Sequence, residues 1–112
     1  PKSKLLIFVS PSNPTGAVYS PEETTAIGNW ALEHGIWVMS DEIYQNLVYD
    51  GVKAVSIVEA VPELAEQTLL VNGVAKSYAM TGWRLGYAAG AHLLEIPLRL
   101  LVANLPQDPV GE

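Results

Sequence analysis

Two short apolar runs with a cleanly started helix between them constrain this chain more than any other feature. Leu5 to Val9 is one run, closed by turn residues, and Ile36 to Met39 is the other, ending at Ser40-Asp41. Apolar runs this short, bounded by turn formers, read as buried strands. Between them Ser20 stands as a helix N-cap, Pro21 suits the first helical position and Glu23 completes a capping box. Ile27, Trp30, Ala31 and His34 fall on one helical face, which predicts Trp30 as a core residue, and Gly35 is the stop. Strand, helix and strand in that order predict a parallel unit with a right-handed crossover. Gln67 to Val71 and Leu85 to Ala89 predict two further strands. The fold class expected is α/β, with a mainly parallel sheet and flanking helices.

Beyond Gly90 the pattern changes. Leu93, Leu94, Leu98, Leu100 and Leu101 suit a helix, but Pro97 would kink or break it, and Pro106 and Pro109 end any regular element. The chain therefore divides into residues 1–90, with the sheet, and a tail, 91–112. It begins with Pro1 rather than Met, and we expect it to be a piece of a longer polypeptide.

Charge and composition exclude several functions. Six basic and twelve acidic residues give a net charge of −6, which argues against nucleic acid and anionic membrane as partners. No apolar run approaches the roughly eighteen residues of a membrane span. Cysteine is absent, so disulfide scaffolds and thiolate metal sites are excluded, and a cytoplasmic location is expected. Neither His34 nor His92 suggests a metal site.

The polar residues worth following sit just past strand ends. Asn13 follows the first strand, Asp41 the second and Lys76 the third, and in open α/β sheets ligands bind at the carboxyl ends of parallel strands. Lys76 has small and apolar neighbours in sequence, and a desolvated lysine is a candidate amine nucleophile. Arg84, eight positions on, can hold an anionic group of whatever that amine captures. Each residue also has a plainer reading. Lys76 can snorkel or pair. Asn13-Pro14 and Asp41 can shape turns. Tyr44 can be an amphipathic core residue and Arg84 a surface ion pair, and Trp83 suits core packing as well as the floor of a ligand site. Glu42 reads as a solvated or structural carboxylate.

Three stretches, taken together, go further. Ser12-Asn13-Pro14-Thr15-Gly16, Ser40-Asp41-Glu42-Ile43-Tyr44, and Lys76 through Trp83-Arg84-Leu85-Gly86-Tyr87 resemble the class I/II aminotransferases, pyridoxal-phosphate enzymes of fold type I. The motifs come in the family's order and at about its spacing over Leu5 to Gly90. The resemblance implies that residues 1–90 are the central segment of the large cofactor-binding domain, with the last strand running against the others. It implies pyridoxal 5′-phosphate as cofactor and Lys76 as the Schiff-base lysine, which also moves the substrate proton. Asp41 would pair with the pyridine nitrogen, Asn13 and Tyr44 with the phenolate oxygen, and Arg84 with the phosphate. The reaction implied is amino transfer between an amino acid and a 2-oxo acid, in a homodimeric parent.

The chain departs from the family in places. Gly73 stands where the family often has a hydroxyl three residues before the lysine. The family's phosphate loop, its ring-stacking aromatic and its substrate-carboxylate arginine have no counterpart here. The same motifs also suit a carbon–sulfur β-lyase or an aminocyclopropane-carboxylate synthase. The isolated 112-residue chain is expected to be inactive.

Overall fold

A computed structural model describes residues 2–90 of the chain, so the expectations for residues 91–112 lie outside the described residues. Strand β1 (Leu5–Val9) leads through a loop to helix α1 (Pro21–Glu33) and strand β2 (Trp37–Asp41). A one-turn helix α2 (Ile57–Ala60) and a 3₁₀ turn (Pro62–Gln67) precede strand β3 (Thr68–Gly73). Another single turn, α3 (Val74–Ser77), and a 3₁₀ turn (Thr81–Trp83) lead to strand β4 (Gly86–Gly90). The strands lie in chain order in one sheet, β1, β2 and β3 parallel and β4 antiparallel to β3. The α/β fold with a mainly parallel sheet is therefore as expected, the reversed last strand included.

Helix α1 starts as its sequence dictates. The Ser20 hydroxyl accepts from the Glu23 amide at 3.2 Å, and the Glu23 carboxylate accepts from the Ser20 amide at 2.8 Å. Gly35, at φ +60°, then turns the chain into β2. The buried stripe of α1 differs from the expected one. It consists of Thr24, Gly28 and Ala31. These are small, and they let α2 and the following turn approach until a Cβ added at Gly28 would lie 2.8 Å from Val61 Cγ2. Trp30, expected in the core, is exposed and stacks on His34 at 4.9 Å between ring centroids. Ala31 and the half-buried Ile27 keep part of the expected face in the core, while Thr24 and Gly28 join it because close approach of two helices selects size over hydropathy.

One sheet face carries the core. Phe8, Val38 and Ile36 meet Ala31, Ile57 and Leu64 there. Fully burying Ile57 or Leu64 contributes roughly 1.5–3 kcal/mol each. The Gln67 side chain ties the layers by donating to the carbonyls of Ala31 (3.2 Å) and Ile36 (2.9 Å). On the opposite face Leu5, Ile7 and Trp37 are exposed. No described helix is long and apolar enough to cross a membrane.

Candidate active site

The register of the parallel strands lines up Val9, Asp41 and Val71 across β1, β2 and β3. That row is the carboxyl edge of the sheet, and the three segments leaving it form the site.

The segment after β1 folds back on itself. The Ser12 amide donates to Ala17 (2.9 Å), the Gly16 amide donates to Ser12 (2.7 Å), and Ser10 Oγ accepts from the Tyr19 amide (3.1 Å). Gly16 sits at φ +71°, where a side chain would be strained. The Tyr19 ring stacks on Phe8, which anchors the far end of the loop to the core. The loop thus projects Asn13, whose amide donates to the Tyr44 hydroxyl at 3.4 Å.

The segment after β2 is a run of turns. Asp41 Oδ1 accepts from the Ile43 amide at 3.1 Å, so the turn-capping reading of Asp41 holds and coexists with any ligand role. The Gln45 amide donates to Glu42 (3.0 Å) and the Leu47 amide to Tyr44 (2.8 Å). These turns carry Tyr44 over to the β1 loop. Asn13, Tyr44 and Tyr49 help line a cleft of about 270 Å³.

The segment after β3 brings the lysine. Gly73 packs against the start of β4 so closely that a Cβ would come 3.1 Å from the Leu85 carbonyl. Helix α3 then holds Lys76, whose Nζ lies 5.4 Å from the centroid of the Tyr44 ring, within cation–π reach. Next to it, Ser77 Oγ accepts from the Asn46 side-chain amide at 3.1 Å, joining the lysine segment to the tyrosine segment.

Asn13 and Lys76 thus each reach Tyr44, and Asp41 stands at the same sheet edge. Arg84 is not joined to them. Its Nη1 donates to the Thr81 carbonyl at 3.3 Å, and its backbone is left-handed at φ 49°. One expectation fails: Lys76 is exposed rather than desolvated, because it stands on a single turn at the sheet edge with no other described element laid over it. Of the two readings of Trp83, its 70% exposure sets core packing aside. Glu42, read as solvated or structural, is the buried, structural case. Sequence reasoning missed the partners that fix the loops, namely Ser56 on Glu42 and Asn46 on Ser77, since nothing in their spacing marks them. Among the described residues no cluster suits a metal ion.

The donor set suits pyridoxal phosphate. It offers a free primary amine, a carboxylate with one oxygen outside its turn, an amide paired with a phenol, and a guanidinium.

Comparison with known proteins gives the following. Residues 1–104 match the family model described as aminotransferase class I and II. An aspartate aminotransferase of Bacillus subtilis is 54% identical over 110 residues, which cover 98% of this chain and 28% of that protein. One from Streptomyces avermitilis is 58% identical over 88 residues, covering 79% of this chain and 22% of that protein. Among solved structures, the aspartate aminotransferase of Rhizobium meliloti aligns with a TM-score of 0.75 at 44% identity, covering 80% of this chain and 23% of that one. An aromatic aminotransferase from Pyrococcus horikoshii has the same TM-score at 43% identity, covering 80% of this chain and 24% of that one. The chain spans between 22% and 28% of the length of these curated relatives.

Proposed function

Because this chain belongs to the class I and II aminotransferases, we propose that it acts within a longer polypeptide that moves an amino group between an amino acid and a 2-oxo acid. Residues 1–90 are then the central segment of its cofactor-binding domain, and the working enzyme is a homodimer. The relatives named as aspartate aminotransferases make aspartate the proposed amino donor. The observation that carries the reading is the meeting of Asn13, Tyr44 and Lys76 from three separate segments, at 3.4 Å and 5.4 Å.

When bound, pyridoxal 5′-phosphate supplies an aldehyde that captures amines and a protonated ring that spreads negative charge away from the substrate α-carbon. Lys76 would be the amine that anchors the cofactor through its aldehyde carbon, and its Nζ would serve as the base toward the proton on the substrate α-carbon. Asp41 keeps a proton on the ring nitrogen. Its turn uses only Oδ1, which leaves the second oxygen for that role. Tyr44 and Asn13 hydrogen-bond the phenolic oxygen. Arg84 holds the phosphate, where a guanidinium fork matches two oxygens. The left-handed backbone at Arg84, and again at Ala79, supports a shaped ligand loop, since such residues cost about 1 kcal/mol or more each.

Product analysis on the full-length polypeptide tests the reaction. With aspartate and a 2-oxo acid, the expected result is oxaloacetate and the new amino acid in equal amounts. With cystathionine in place of aspartate, release of homocysteine, ammonia and pyruvate, and no amino transfer from aspartate, would instead make it a lyase on the same scaffold.

A further inference from the structure

Glu42 lies between two residues of the proposed site, Asp41 and Tyr44, yet only 5% of it is exposed. Strand alternation sends its side chain to the side opposite Asp41. There Oε1 accepts from Ser40 Oγ at 3.2 Å and from Ser56 Oγ at 2.6 Å. The second distance is in the range of charge-assisted O–H···O bonds. The backbone of Glu42 is fixed as well. Its amide donates to the Val71 carbonyl at 2.9 Å, which carries the β2–β3 ladder one residue past the end of β2, and its carbonyl accepts from Gln45.

Ser56 is the informative partner. It occupies the N-cap of α2, where a serine hydroxyl ordinarily accepts from the first turn of its own helix. Its side chain makes no such cap. It donates to Glu42 instead, fourteen positions earlier in the chain.

Resting on the function proposed above, we infer that Glu42, braced by Ser56, is a positioning residue that sets the attitude of Asp41 and Tyr44 toward the cofactor. Neither Glu42 nor Ser56 touches the cofactor in this account. Loosening the brace frees the turn from Asp41 to Tyr44, and with it the carboxylate on the ring nitrogen and the phenol on the ring oxygen.

The test uses the full-length polypeptide loaded with pyridoxal phosphate. The readouts are the pH midpoint of the bound cofactor's visible absorbance change and the cofactor dissociation constant. Ser56→Ala is expected to shift the midpoint and weaken cofactor binding roughly tenfold, the scale of one lost charge-assisted bond. Ser56→Thr, which keeps the hydroxyl, is expected to restore both. Glu42→Gln keeps the shape and the acceptor but not the charge. It is expected to shift both readouts in the same direction by less, and it decides the matter if Ser56→Ala does not fold. A folded Ser56→Ala or Glu42→Gln with unchanged midpoint and affinity, even at lower thermal stability, would show the brace to be only structural. A wild-type protein that shows no bound-cofactor band at all contradicts the proposed function itself.

Discussion

Tyr44 carries two contacts of the site at once. Its hydroxyl accepts from Asn13, and its ring lies under the Lys76 amine. Tyr44→Phe separates the two, because it keeps the ring and removes the hydroxyl. A net hydrogen-bond contribution near 1 kcal/mol predicts cofactor affinity lower by roughly fivefold to tenfold. A fluorescence titration of the full-length variant measures it, and unchanged affinity would remove Tyr44 from the proposed site. The placement of Asn13, Asp41 and Lys76 at one sheet edge was legible in the sequence because each follows an apolar run that ends in turn formers. The exposure of Lys76 was not legible. Gly73, Val74 and Ala75 make its sequence surroundings apolar, but α3 is one turn long and covers nothing.

At the scale of elements, the packing of α1 on α2 decides how the helix layer sits on the sheet. Gly28 is the point of closest approach. Its missing Cβ would meet Val61 Cγ2 at 2.8 Å and both Val61 Cβ and Ile57 Cγ1 at 3.3 Å. Val61 is β-branched and buried, so it has little room to turn aside. Gly28→Val is therefore expected to destabilise the fold by about 2 kcal/mol despite the better helix propensity of valine. Urea unfolding checks this, and an unchanged or higher midpoint would mean the layers part easily. The start of α1 was readable from Ser20, Pro21 and Glu23, since capping is local chemistry. Its buried stripe was not, because Thr24 and Gly28 carry little hydropathy. Helices α2 and α3 left no periodic trace over four residues each. Strand β2 runs on to Asp41, past the expected end, because Asp41 still pairs with Val9 and Val71.

At the scale of the whole molecule, the described residues place helices of the core layer on one face of the sheet. Leu5 and Ile7, on the other face of a strand that is an edge among the described residues, are 53% and 58% exposed, and an apolar face and strand edge left uncovered by the described residues favour association. Nothing among the described residues covers Lys76, and Arg84 stays apart from the other four site residues. We propose that residues other than the described ones complete the site. The most direct measurement is borohydride reduction after incubation with pyridoxal phosphate, followed by peptide mapping, on the full-length polypeptide and on the 112-residue chain side by side. A stable label confined to Lys76 in the full-length polypeptide and no site-specific label in the short chain is the expected result. A full-length polypeptide labelled equally at Lys2, Lys4 and Lys53, or unlabelled at Lys76, would contradict it.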